Sequence, residues 1–269
     1  MTIALLGIPH DCNSSFLRGA AQAPVAIREA LHSHSANLAS ETGHDLGDPA
    51  LLRDAGDLAV QDLAGEAAFD AIRTGVSAAL DSGCGLVILG GDHSISHPAI
   101  LAHAARHPGL SVLHFDAHPD IYADFEGNPF SHASPFARVL ESGQLARLVQ
   151  VGIRTATAHL REQAMRYGVE QHCMTDLSGL PTIAFDGPVY VSIDLDALDP
   201  GFAPGVSHHE PGGLATRQII ELIQRVPGRV IGGDVVEYNP ARDINGMTAM
   251  VAAKLAKELA GRMLDDRTG

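Results

Sequence analysis

Six short, nearly continuous apolar runs punctuate this 269-residue chain: Ile3–Leu6, Leu86–Leu89, Ser111–Phe115, Leu148–Val151, Val189–Ile193 and Arg229–Ile231. Hydrophobicity on successive residues is what a strand shows when both its faces are covered, as in a parallel sheet sandwiched by helices. Amphipathic stretches lie between the runs. Phe69, Ile72, Val76 and Leu80 recur at helical spacing, and Gly83 follows as a stop. Thr216 is expected to cap a helix carrying Ile219, Ile220 and Ile223 that ends before Pro227-Gly228. Met250, Leu255 and Leu259 share one face of a C-terminal helix. The alternation predicts an α/β fold, three-layer αβα with a mainly parallel central sheet. No linker, charge block or fixed-period repeat divides the sequence, so residues 1–269 read as a single domain.

Charge narrows the partners. Eighteen Lys and Arg against 32 Asp and Glu give a net charge of −14 and a pI near 5.4. Such a surface repels nucleic-acid backbones and anionic membranes, and attracts small cations. No apolar run approaches the roughly 18–20 residues that cross a bilayer. The opening residues lack a basic segment and read as a first strand, not a signal peptide. Cys12, Cys84 and Cys173 are far apart and form no CxxC pair, which points to a reducing compartment, the cytoplasm.

In open α/β sheets ligands bind beyond the carboxyl ends of the strands, and the polar clusters of this chain sit there. Gly90-Gly91-Asp92-His93 follows one run, and Asp116-Ala117-His118-Pro119-Asp120 another. Asp194-Leu195-Asp196, with Asp199-Pro200, follows a third, and Asp234 to Glu237 the last. At an extended strand end alternate residues project together, so Asp116, His118 and Asp120 can converge. A solvated loop with one structural histidine is the plainer reading of that segment alone. Asp194 and Asp196 repeat the spacing, and two such carboxylates repel unless a cation lies between them. Four Asp and two His exceed what one tetrahedral zinc needs. They suit two hard or borderline divalent ions, Mn²⁺ ahead of thiolate-seeking metals, which together activate a water. Rival sites fail. Gly83-Cys84-Gly85 precedes its strand where a dinucleotide loop follows it, and there is neither a phosphate loop nor a GxSxG elbow.

These segments carry a resemblance. The chain resembles the ureohydrolase family of arginases, agmatinases and related guanidino hydrolases. The resemblance rests on Gly90-Gly91-Asp92-His93-Ser94, Asp116 to Asp120, Ser192 to Pro200 with Ala203-Pro204-Gly205, and Asp234 to Pro240. Gly7-Ile8-Pro9, Arg18-Gly19-Ala20, Asp54 to Asp57 and Val151 to Arg154 extend it over nearly the whole chain. It implies two Mn²⁺ per chain, with Ni²⁺ or Co²⁺ as substitutes. His93 and Asp120 would hold one ion and His118 and Asp196 the other, with Asp116 and Asp194 bridging both. It makes Glu237 the carboxylate facing the guanidinium and His132 the proton shuttle, although Ala133 stands where many relatives have Gly.

For the substrate the resemblance implies a small cationic guanidino compound cleaved to urea and an amine. Arginases carry Asn two residues after the last motif aspartate. Here Tyr122 stands there, followed by Asp124 and Glu126, acids that suit an amine. The expectation is therefore an agmatine-like substrate contacted by Tyr122 and Asp124, with L-arginine the alternative. Formimidoylglutamases usually lack the equivalent of His132. The family also implies a homo-oligomer, a trimer or hexamer. Two other classes stand against this reading: a non-catalytic paralogue, which the full ligand set opposes, and a zinc amide deacetylase, which would need fewer carboxylates.

Overall fold

In the computed structural model, which describes residues 2–177 and 179–265, the six runs are strands of one eight-stranded sheet. The strands are β1 (Ile3–Ile8), β2 (Leu52–Asp57), β3 (Gly85–Gly90), β4 (Ser111–Phe115), β5 (Arg147–Val151), β6 (Glu170–His172), β7 (Pro188–Asp194) and β8 (Arg229–Val236). Their spatial order is β2-β1-β3-β8-β7-β4-β5-β6, and every pairing is parallel. The helices are α1 (Ala23–Leu31), α2 (Gly65–Asp81), α3 (Ser96–Ala104), α4 (Pro135–Glu141), α5 (Ala158–Tyr167), α6 (Thr216–Arg225) and α7 (Met247–Asp265).

Period-2 alternation divides each of the six apolar strands between two cores. Leu5, Val87, Leu113, Val149, Val191 and Val235 pack with α1, α6 and α7 through Ile27, Ile223, Leu255 and Leu259. On the opposite face Leu6 and Ile88 meet Ile72 and Val76 of α2, while Val112, Leu148 and Tyr190 meet Ile100, Phe136 and Leu160. Each fully buried Val or Leu contributes about 1.5–3 kcal/mol. A polar side chain in the same rows survives only if it is hydrogen-bonded.

Strands β2 and β6 carry no apolar run and escape detection in the sequence. Both are edges. β2 is largely exposed, and Arg28 of α1 ties it down through Asp54 at 2.8 Å and Asp57 at 2.6 Å. Thr216 is not the cap expected of it but the first residue of α6: the capping position is Ala215, whose N–H is held by Gln218 Oε1 at 2.8 Å. Gly83 does follow α2 with φ +75°, as a helix stop requires. Among the described residues no helix is long and apolar enough to cross a membrane.

Candidate metal centre

The carboxyl ends of β3, β4, β7 and β8 meet in the middle of the sheet, and each brings its polar cluster there. After β3 the chain must pass close to the end of β1. A Cβ at Gly91 would lie 1.8 Å from the carbonyl oxygen of His10, so only glycine fits. Asp92 then turns back to accept the N–H groups of Asn13 and Ser94, which delivers His93 to the centre. After β4, Asp120 adopts a left-handed backbone with φ +50°; after β8, Glu237 does so with φ +64°. Non-glycine residues hold that conformation only where their surroundings insist on it, commonly at functional sites.

Among the described residues three donor groups form: one joins His114 to His93 and Asp116, and the other two make the centre. His93, Asp116, Asp120 and Asp194 make the first; Asp116, His118 and Asp196 make the second. Asp116 belongs to both, whereas Asp194 falls in the first alone, its Oδ1 accepting the Asp196 N–H at 2.8 Å. The backbone orients the carboxylates: Asp116 Oδ1 accepts from His118 N at 2.6 Å and Asp196 Oδ1 from Ala117 N at 3.1 Å.

The ring of His93 tests whether a cation suits these donors. Ser192 Oγ lies 2.7 Å from Asp234 Oδ1, an acceptor, and so donates to it. Ser192 must then accept from His93 Nε2 at 3.0 Å. Nδ1 is left with its lone pair. It is buried, makes no hydrogen bond among the described residues, and faces Asp116, Asp120 and Asp194 oxygens at 3.1–3.3 Å. Acceptors aimed at one another around a buried ring nitrogen call for a positive ion among them. The donors fit.

The titration behaviour agrees. Burial raises Asp194 well above the usual carboxylate range, and the charges of Asp196 and Asp116 push it further. Burial likewise lifts Asp196 to about 6, with His118 opposing. Burial disfavours a charged ring at His93, yet Asp116, Asp120 and Asp194 outweigh it and raise the ring well above its ordinary value, so the lone pair of the neutral ring draws a proton wherever no other cation competes for it.

A cavity of about 180 Å³ opens over the second group and is lined by His118, Asp120, Asp194, Asp196, His132 and Glu237 on its inner side. That is less than the roughly 300–1,000 Å³ of drug-sized ligand sites, and suits a small molecule. His132 Nδ1 stands 2.9 Å from Glu237 Oε1, which also accepts the His93 N–H at 2.8 Å. Burial works against charge on His132, but Glu237 prevails and raises it to about 9. The rest of the lining is Ser15, Tyr122, Phe125, Ala133, Thr155, Thr157, Leu160 and His208.

Tyr122 lies on the cavity wall. Asp124 does not. It is exposed, its Oδ1 holds the Gly127 N–H at 3.0 Å, and the Phe125–Asn128 bridge turns Phe125 inward instead. Glu126 is exposed as well. Three further residues belong here. His208 lines the cavity beside His132, ring centres 5.2 Å apart. His114 lies 2.8 Å from Asp116 Oδ2, and Ser15 Oγ 2.8 Å from His132 Nε2. Period 2 from Asp116 back along β4 was the available signal for His114.

A sequence model of the arginase family matches residues 1–261. A mitochondrial arginase of Medicago truncatula is 48% identical over 277 residues, covering 97% of this chain and 82% of that protein. A mitochondrial agmatinase of Gallus gallus is 34% identical over 271 residues, covering 95% and 79%. Among solved structures, an arginase from Medicago truncatula superposes with a TM-score of 0.93 at 48% identity, covering 97% of this chain and 87% of that one.

Proposed function

The chain belongs to the arginase family, and from that premise we propose that it hydrolyses the guanidino group of L-arginine, releasing urea and ornithine, at a pair of divalent cations. That it is a hydrolase of C–N bonds in guanidino compounds follows from the family. The observation that carries the reading is the convergence on one small cavity of two donor groups sharing Asp116 and of the His132–Glu237 pair.

His93, Asp116, Asp120 and Asp194 would hold one ion, and His118 and Asp196, with Asp116, the other. Oxygen-rich donors with some imidazole favour Mn²⁺, with Ni²⁺ or Co²⁺ as substitutes. When bound, such a pair supplies the Lewis acidity that ionises water near neutral pH. The side chains do the rest. Glu237, kept ionised against burial by His132, offers the negative charge that a planar guanidinium seeks. His132, protonated at neutral pH, gives its proton to the departing amine nitrogen.

The preference for arginine over agmatine replaces the expectation drawn from Tyr122 and Asp124. The acids thought to suit an amine are exposed, and apart from Asp120, Asp194, Asp196 and Glu237 the cavity lining offers hydroxyls and rings without a further carboxylate. Hydroxyls at Ser15, Tyr122, Thr155 and Thr157 can donate to an amino-acid carboxylate, and the relative of 48% identity is named an arginase where the agmatinase reaches 34%.

We also read residues 1–269 as one domain and expect a trimer or hexamer, consistent with exposed Phe16, Phe202 and Ile244 on loops and exposed Met247 at the start of α7. The free cysteines suit any reducing compartment, and a relative with a mitochondrial name makes the cytoplasm one choice of two. The test is urea release by the Mn²⁺-loaded chain offered L-arginine, agmatine, guanidinobutyrate and formimidoylglutamate. A kcat/KM for agmatine above that for L-arginine rejects the substrate assignment, and no urea from any of them rejects the reaction.

A further inference from the structure

The parallel registers align His114 with Gln150 and Ser192, Gln150 with Gln171, and Ser192 with Asp234. These five residues thus form one row across β6, β5, β4, β7 and β8. His114, Gln150, Ser192 and Asp234 are all 0% exposed, set in strands otherwise filled with aliphatic residues. Burying them costs stability unless each is satisfied, and the way they are satisfied fixes the direction of every hydrogen bond.

Gln150 Nε2 lies 2.6 Å from the carbonyl oxygen of Pro119, which can only accept, so the amide nitrogen is on that side. The amide oxygen takes the Gln171 Nε2 hydrogen at 2.7 Å. The second hydrogen of the Gln150 amide then points at His114 Nδ1, 3.0 Å away, which must accept it. His114 is left with its proton on Nε2, 2.8 Å from Asp116 Oδ2.

We infer that His114 and Gln150 are positioning residues: Gln150 fixes the ring of His114, whose N–H clamps the carboxylate common to both donor groups. The geometry also assigns His114 no ligand role, although it lies within reach of His93 and Asp116, because the nitrogen facing the site carries hydrogen. With Oδ1 held by His118 N and Oδ2 by His114, the Asp116 carboxylate is fixed in orientation before any ion arrives. The inference rests on the metal centre proposed above and deepens it.

Calorimetric titration of Mn²⁺ into the chelator-stripped full chain tests it. His114→Leu removes the clamp and is expected to weaken binding roughly 10–100-fold. His114→Gln, which returns an N–H near the same place, is expected to recover most of that loss. Gln150→Leu, which frees the ring, is expected to weaken binding in the same direction. Wild-type affinity in His114→Leu, or equal damage from Leu and Gln, overturns the inference while leaving the metal centre standing. A wild-type chain that takes up no Mn²⁺ overturns both. Nitrogen-15 NMR of the metal-free wild-type ring needs no variant: a proton on Nε2 and none on Nδ1 supports the inference, and the reverse overturns it.

Discussion

His132 Nδ1 lies 2.9 Å from Glu237 Oε1, and both side chains are buried at the inner side of the cavity. The carboxylate is the main reason that the ring, despite its burial, holds its proton to about pH 9. A raised histidine pKa means that the acid form dominates below that value and is lost as pH climbs through it. If His132 protonates the leaving nitrogen, kcat declines above that limb. Cations at the neighbouring donors act against the carboxylate, so the limb of the loaded enzyme lies at or below 9. Glu237→Gln moves it further down, towards the ordinary histidine range. His132→Ala lowers kcat by about 10²–10⁴ with bound metal unchanged. Stopped assays from pH 6 to 10, with metal analysis, check both; full turnover in the alanine variant removes His132 from the reaction.

Sharing of Asp116 predicts an asymmetry between the two bridging candidates. Asp116 serves both donor groups, so Asp116→Ala should strip both ions from the chain. Asp194 belongs to the group of His93 alone, so Asp194→Ala should lose that ion first and retain close to one per chain. Elemental analysis after gel filtration distinguishes this outcome from the symmetric bridging that family resemblance implies.

The strands were legible where both faces are dry: β1, β3, β4, β5, β7 and β8 announce themselves as apolar runs. The edges β2 and β6 are held by Arg28 pairs and by backbone ladders, contacts that leave no pattern in composition. Six metal donors could be read because each motif keeps its members within five residues of one another. The row from Gln171 to Asp234 could not, because its members lie on five strands and become neighbours only through register. Asp124 misled for a related reason. Proximity in sequence to the ligands said nothing about the turn that carries it outward.

The position of Asp124 gives a discriminating experiment. Exposed and engaged with Gly127 N, it should leave the ratio of kcat/KM for L-arginine and agmatine unchanged when replaced by Asn. Thr155→Val, on the cavity wall, should raise KM for L-arginine about 3–10-fold with kcat little altered, the loss expected for one hydrogen bond. A large shift of the ratio in Asp124→Asn would restore the acid to the substrate site.

Acid sensitivity of the fold should trace to His103. Its ring is fully buried in α3, with Nδ1 donating to Ala99 O at 2.8 Å and the ring edge-on to Tyr190. Nε2 finds no hydrogen-bond partner among the described residues and lies where a Cβ at Gly232 would be 2.5 Å away. A proton there would be a buried charge with nothing to balance it, and burial accordingly lowers the ring to about 4. The unfolded chain binds this proton from its ordinary value of 6.5 downward, while the folded chain refuses it until about 4. Stability is therefore complete above pH 6.5 and falls between 6.5 and 4, by about 3 kcal/mol for this residue. His97, lowered to about 4 by burial and by Arg138 and Arg73, adds a parallel decline. Urea unfolding at pH 7.5 and 4.5 should show His103→Leu recovering the His103 share of that decline; an unchanged pH dependence in the variant would show that the ring accepts its proton without cost.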